Sequence, residues 1–214
     1  MASIAVLSAL DGPTDELGQV LAVLRAAGEA EPERLTLARG DRRLLELHRE
    51  AMGEDLELTV TCASCGTLSS VLLGPDTVPD ASPRSVWLGP GGGLREPTYG
   101  DLRGLPGDPD EAAAELLRRC TVGVPGREPT AAELEHVDDS LAGPLRVTCA
   151  GCGEPVEAPV DVERATLESL ERGMRAADVE VHLLAASYHW PLNAIDALPD
   201  RRRERLARLV AEGA

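Results

Sequence analysis

Two nearly identical segments, LTVTCASCG at 58–66 and LRVTCAGCG at 145–153, constrain the fold of this chain more than any other feature. The copies differ at two of nine positions, and together they hold four of the five cysteines. In each copy an alternating, β-type stretch leads into a CxxC pair that is followed by glycine. This order is typical of a zinc knuckle, so each copy predicts a strand, a knuckle and a strand.

A CxxC turn presents two thiolates to one metal ion, and the glycines at 66 and 153 allow the tight backbone that such a turn needs. One pair cannot complete a tetrahedral site, and neither knuckle has enough Cys or His beside it to build a site of its own. We therefore expect the two pairs to converge on one structural Zn²⁺. The expected ligands are Cys62, Cys65, Cys149 and Cys152.

Two other states of these cysteines remain open, an unoccupied set of thiols and a redox-active dithiol. A thioredoxin-like dithiol opens a helix within a βαβ unit, and neither copy precedes a helical pattern. Zinc is therefore the favoured interpretation, and an oxidoreductase is the least favoured. The fifth cysteine, Cys120, ends an amphipathic helical pattern and is interpreted as a small buried apolar residue.

Most of the remaining chain has helical periodicity, which predicts an α+β fold that is mainly helical with a small antiparallel zinc-ribbon-like unit. Asp41 is expected to cap a helix that ends at Gly53, and the longest helix runs from Val162 to a break at Pro191. The Pro- and Gly-rich stretch 74–107, with GPGGG at 89–93, reads as a loop that contains one short strand, SVWL. The predicted segments are an N-terminal helical part (1–54), a split ribbon (55–73 and 144–160), an inserted part (74–143) and a C-terminal helical part (161–214).

The charge excludes several classes of partner. With 37 acidic and 21 basic residues, the formal net charge is −16, which repels nucleic acid phosphates and anionic lipid, so we expect protein partners. No run approaches the roughly 20 apolar residues of a membrane-spanning helix. The start of the chain lacks the basic region of a signal peptide, and a cytoplasmic location is expected.

No catalytic motif is present. The sequence lacks HExxH, GxSxG, a Walker loop and a GxGxxG that opens a helix, and the four histidines lie in ordinary helical positions or at a helix break. A shell of four thiolates would leave no open position on a metal. We therefore expect no enzyme, no catalytic residue and no small-molecule substrate.

The C-terminal segment SYHWPLNAIDALPDRRRERLARLV permits two interpretations. Its five arginines could belong to a DNA-binding helix-turn-helix, which with a zinc ribbon would indicate a transcriptional regulator. The favoured interpretation is a helical hairpin with Tyr188 and Trp190 packed beneath it and the arginines solvated or paired. The residues expected to face inward are Ile195, Leu198, Leu206 and Leu209.

A series of strings along residues 34–210 resembles the T-even-phage-type baseplate hub assembly chaperones of contractile tails and injection systems. The strings are LTLARGDRRLLELHREAMGEDLELTVTCASCG, LREPTYGDLRGL, LLRRC, LRVTCAGCG and EVHLLAASYHWPLNAIDALPDRRRERL. They occur in the order of that family, and the series is more specific than a CxxC pair alone. The resemblance implies a non-catalytic role in building a baseplate or its hub, through contacts with other baseplate proteins.

Overall fold

A computed structural model describes residues 9, 12–13, 15–78, 84–158 and 160–213 and has the predicted α+β architecture with small antiparallel sheets. Most helices lie where the 3.6-residue periodicity predicted them, and none of the described helices is long and apolar enough to cross a membrane. The expectation of no signal peptide concerns residues 1–12, most of which lie outside the described ranges. The helices are α1 (Glu16–Ala26), α2 (Leu37–Met52), α3 (Tyr99–Leu102), α4 (Pro109–Cys120), α5 (Ala131–Val137), α6 (Val162–Tyr188), α7 (Leu192–Asp196) and α8 (Asp200–Ala211).

Among the described residues, the strands form two hairpins and one three-stranded sheet, all antiparallel. The first hairpin pairs β1 with β2 around the first CxxC, and the second pairs β6 with β7 around the second CxxC. The third sheet has the order β3, β4, β5. The strands are β1 (Leu56–Thr61), β2 (Leu68–Leu73), β3 (Ser85–Trp87), β4 (Gly92–Arg95), β5 (Thr121–Gly123), β6 (Leu145–Thr148) and β7 (Pro155–Ala158).

Helix α2 is the platform on which both hairpins rest. One side of α2 packs against α6 through Leu44, Leu47 and Leu170, all buried. The other side, with Leu45, contacts the bases of both hairpins and the start of α6. Each buried leucine contributes about 2 kcal/mol of apolar transfer free energy, so this two-sided packing holds the hairpins next to each other.

The predicted start of α2 at Asp41 is wrong. Thr36 is the N-cap, where its hydroxyl accepts a hydrogen bond from the N–H of Arg39 at 3.4 Å, so the helix begins one turn earlier. Asp41 lies inside the helix and is 4% exposed. The predicted end is confirmed, since Gly53 adopts the left-handed conformation (φ 79°) that closes a helix.

The stretch 74–107 contains more structure than the sequence indicated. The short strand SVWL is confirmed as β3, but the last two glycines of GPGGG, Gly92 and Gly93, begin a further strand, β4, between β3 and β5. A Cβ at Gly93 would collide with the carbonyl oxygen of Val86, and one at Gly92 with that of Val122. These glycines are therefore needed for close strand packing, whereas the composition had indicated a loop.

The C-terminal helices form the predicted hairpin-like unit, with Ile195 fully buried against Leu184 of α6. Tyr188 and Trp190 do not lie beneath it. Their rings stack on each other with centroids 5.0 Å apart, and the side chains are 40% and 36% exposed. The buried positions on α8 are Ala207 and, unexpectedly, Arg203.

That arginine is held by two carboxylates. Arg203 Nε lies 3.1 Å from Glu180 Oε2, and Arg203 Nη2 lies 3.0 Å from Asp200 Oδ1. Leu209, expected inside, is 41% exposed. A guanidinium with two carboxylate partners can be buried at a helix–helix contact, so Arg203 packs inward on the same helix as Leu206, Ala207 and Val210.

Candidate metal centre

The two knuckles have the same backbone geometry. In the first, the N–H of Gly66 donates to the carbonyl of Cys62 at 2.8 Å; in the second, the N–H of Gly153 donates to Cys149 at 3.0 Å. Both glycines are left-handed, with φ of 71° and 77°. The predicted role of these glycines is confirmed, because an L-residue other than glycine rarely adopts this conformation.

The four predicted ligands converge. Cys62 Sγ lies 3.7 Å from Cys152 Sγ, and Cys65 Sγ lies 3.6 Å from Cys149 Sγ, so each close pair joins one hairpin to the other. All four sulfur atoms lie within 4.8 Å of one another. Among the described residues, no other group of His, Cys, Asp and Glu forms such a cluster.

These distances fit a tetrahedral thiolate site. Zn–S bonds of about 2.3 Å at tetrahedral angles place sulfur atoms about 3.8 Å apart. The four cysteines are free thiols rather than disulfides. Cys62 and Cys149 are buried while Cys65 and Cys152 are exposed, so an ion would sit at the edge of the fold with two sulfurs toward solvent.

The two hairpins touch next to the sulfur cluster. A Cβ added at Gly151 would collide with the hydroxyl of Thr67 and lie 3.1 Å from its Cβ. The equivalent residue of the first knuckle, Ser64, is exposed and carries a side chain freely. The difference between Ser64 in the first copy and Gly151 in the second therefore has a structural cause. That cause, the contact with Thr67, is not visible in the sequence.

Hydrogen bonds favour the thiolate form on the first knuckle. The side chain and N–H of Thr67 lower the pKa of Cys65 to about 6. Cys65 Sγ lies 3.2 Å from Thr67 Oγ1. The N–H groups of Cys65 and Ser64 lower the pKa of Cys62. These groups stabilise negative charge on sulfur in the same way that they would stabilise a metal-bound thiolate.

The second knuckle shows the opposite effect. The N–H of Glu154 acts to lower the pKa of Cys152, but the neighbouring thiols and burial outweigh it and raise that pKa to about 12. The cluster as a whole therefore accommodates some negative charge but resists four ionised sulfurs. A divalent cation at the centre removes this conflict, because a coordinated thiol loses its proton.

The remaining predicted residues do not join the cluster. Cys120 is fully buried in the core beside the three-stranded sheet, as predicted, and burial raises its pKa to about 11. His48 is buried, with Nε2 2.9 Å from Ser169 Oγ and Nδ1 3.2 Å from the carbonyl of Glu54. These contacts join α2 to α6, which is a structural role.

The burial of one polar residue was missed by the sequence reasoning. Asp41, expected as a helix N-cap, is buried inside α2, where its carboxyl group accepts a hydrogen bond of 2.7 Å from the N–H of Leu141. No local pattern marks this position. Its burial depends on a contact with a residue one hundred positions away.

Comparison of the chain with protein-family models, with curated proteins and with solved structures gave no match.

Proposed function

We propose that this chain is a zinc-stabilised, non-enzymatic assembly or structural protein of the baseplate hub of a contractile tail or injection system, acting through protein contacts. The observation that carries the proposal is the convergence of four sulfur atoms from two hairpins that are far apart in sequence. A metal bound there cross-links the chain, since its binding free energy becomes folding free energy. The baseplate itself is inferred from the resemblance of the sequence strings to that family.

The chemistry of the site supports a structural ion. Four thiolates select Zn²⁺ over hard cations such as Mg²⁺ or Ca²⁺, and they fill its coordination shell. A filled shell has no position for a substrate or a reactive water. When bound, the ion supplies a rigid link between the hairpins, and Cys62, Cys65, Cys149 and Cys152 hold it.

The positions of the resembling strings also support the proposal. The string 35–66 covers α2, β1 and the first knuckle, and the string 180–206 covers the end of α6 through most of α8. Together with 145–153 they lie on elements that pack against each other around α2 and α6. A series that follows the packed elements of the fold is a better family signature than a single motif in a loop.

Exposed apolar side chains support a protein-binding role. On β2, Leu68 and Leu72 project from the same face and are 67% and 65% exposed, and Trp87 on β3 is 69% exposed. The stacked pair of Tyr188 and Trp190 adds a third apolar site. Aromatic and aliphatic side chains left in solvent are typical of surfaces that other proteins cover.

Loss of this chain from the producing cell provides the direct test. We expect electron microscopy to show tails without a complete baseplate, and affinity-tagged chain to co-purify with baseplate proteins. Complementation with Cys65→Ser should fail, while Cys120→Ala, which leaves the cluster intact, should restore the tails. Normal tails in cells that lack the chain would overturn the proposal.

One observation favours the alternative, a DNA-binding regulator. Four arginines of α8 are exposed and form no ion pair with any described residue: Arg201, Arg202, Arg205 and Arg208. Against it stand the net charge of −16 and the burial of Arg203 between two carboxylates. A salt-sensitive mobility shift on genomic fragments that is lost in the double variant R201A/R205A would establish the regulator instead.

A further inference from the structure

A cavity of about 360 Å³ lies between the first turn of α2, the segment 138–142 and the start of α6, away from the sulfur cluster. Its walls are largely aliphatic, formed by Leu37, Leu102, Leu116, Val160 and Val162. Four carboxylates line the same space: Asp41, Asp138, Asp161 and Glu163. Apolar walls with a few convergent charged groups are the usual composition of a ligand site.

No described cationic side chain pairs with these carboxylates, although ion pairs are frequent elsewhere in the described chain. Three of them accept hydrogen bonds from backbone N–H groups: Asp41 from Leu141 at 2.7 Å, Asp138 from Ser140 at 3.0 Å and Asp161 from Arg164 at 2.9 Å. Such bonds orient the carboxylates but bring no positive charge. The cavity therefore concentrates negative potential between aliphatic walls.

One of the four acids, Asp41, is buried without a cationic partner among the described residues. Asp41 is 4% exposed, and burial of a carboxylate without a cation destabilises a fold. Tyr99 is fully buried, with its ring and hydroxyl against Gly40 and beside Asp41, and its hydroxyl interacts with the side chain of Glu163. A buried acid without a cationic partner is rare in folded proteins and calls for a specific explanation.

A metal ion does not suit the cavity. Within the described residues only the four cysteines bring three or more ligand atoms close enough to hold one ion, so the carboxylates are too widely spaced for Mg²⁺ or Ca²⁺. A larger cation with several donors can reach acceptors that lie farther apart. Aliphatic walls would also cover the methylene stem of such a cation.

We propose that this cavity binds a guanidinium or primary ammonium group carried on an alkyl chain. Asp41 and Glu163 pair with the cationic head, Asp138 and Asp161 add to the attractive potential, and the aliphatic walls enclose the stem. The natural source is an Arg or Lys side chain of a protein partner or a free polyamine, which share this chemistry. The site is separate from the sulfur cluster and stands whether or not the baseplate proposal holds.

Calorimetric titration of the metal-loaded full chain with butylguanidinium tests the site, with neutral butylurea as the matched probe. We expect one butylguanidinium per chain, bound at least tenfold more tightly than butylurea. Glu163→Gln and Asp41→Asn should each weaken binding at least tenfold. The control Glu168→Gln, an exposed residue on the same helix that pairs with Arg164, should leave it unchanged.

Equal binding of the two probes, or affinity that persists in both cavity variants, overturns the proposal. Displacement of butylguanidinium by equimolar Mg²⁺ also overturns it, because the cavity would then bind any cation. If Asp41→Asn does not fold, Glu163→Gln decides the test alone. If a short peptide with one central arginine binds more tightly than spermidine, and replacing that arginine with citrulline abolishes binding, the ligand is a protein side chain. If spermidine binds more tightly than the peptide, the ligand is a free polyamine.

Discussion

If one metal ion binds all four cysteines, its removal should destabilise this protein more than the loss of two ions, each bound within a single knuckle. The structure joins the hairpins through the sulfur pairs Cys62–Cys152 and Cys65–Cys149. If one ion links them, Cys65→Ser in the first hairpin and Cys152→Ser in the second remove the same link. The two variants should therefore lose equal free energies of unfolding, and the double variant should lose no more than either one.

The magnitude follows from the length of chain that the link closes. Cys65 and Cys149 are 84 positions apart. In the chain-entropy treatment of cross-links, a loop of this length corresponds to about 4.5 kcal/mol at 25 °C. Such a loss is a large part of the stability of an ordinary domain, about 5–15 kcal/mol, so the metal-free chain should be close to unfolding.

Urea denaturation followed by circular dichroism, in reducing buffer with zinc or with a chelator, measures this difference. Metal analysis of the same samples should find one ion per chain in the native protein and in the control Cys120→Ala. It should find none in either hairpin variant. Three outcomes would refute the shared site. The losses of unfolding free energy could add in the double variant, chelation could change the unfolding free energy by less than about 1 kcal/mol, or either variant could retain an ion.

Three further measurements test separate parts of the structure. Gly151→Ala should weaken zinc binding at least tenfold in competition with a chromophoric chelator, because the added Cβ collides with Thr67 of the opposite hairpin. The matched variant Ser64→Ala should bind zinc as the native chain does. Equal zinc affinities of the two variants would contradict the contact between Gly151 and Thr67. Burial raises the pKa of Asp41 from 3.8 to about 8, so the folded chain without a bound cation keeps this proton, and stability falls as pH rises through that window, by about 4 kcal/mol at pH 7. Asp41→Asn should flatten the dependence of the urea midpoint between pH 5 and 8, and an unchanged slope would show that Asp41 is not its source. Leu184→Ala, in the C-terminal core, should cost about 3 kcal/mol and exposed Leu192→Ala less than about 0.5, whereas similar losses would mean that this core is not formed.

The knuckles were predictable because their signals are local. A CxxC turn needs a left-handed residue after it, and glycines at 66 and 153 meet that need in both copies. Convergence of the cysteines followed from counting ligands, since neither pair could complete a tetrahedral shell alone. The repeated strand approach made a shared site the simplest arrangement.

Other positions were not predictable because their environments are formed by distant residues. Aspartate is a common helix N-cap, yet Thr36 caps this helix, and the carboxyl group of Asp41 accepts a hydrogen bond from the N–H of Leu141. The glycines in GPGGG suggested a loop, but Gly93 lies in a central strand because Val86 approaches it closely. In each case the residue type allows both outcomes, and the neighbouring element selects one.

The sequence by itself determined two strand–knuckle–strand units, most of the helices around them and four cysteines that could bind one metal ion together but not as separate pairs. Tertiary structure decided which surfaces meet. It placed both hairpins on α2, brought Thr67 against Gly151, left Tyr188 and Trp190 in solvent and enclosed four carboxylates in one cavity. Periodicity and turn chemistry describe neighbours along the chain, whereas burial and the partners of charged groups depend on contacts between residues far apart in sequence.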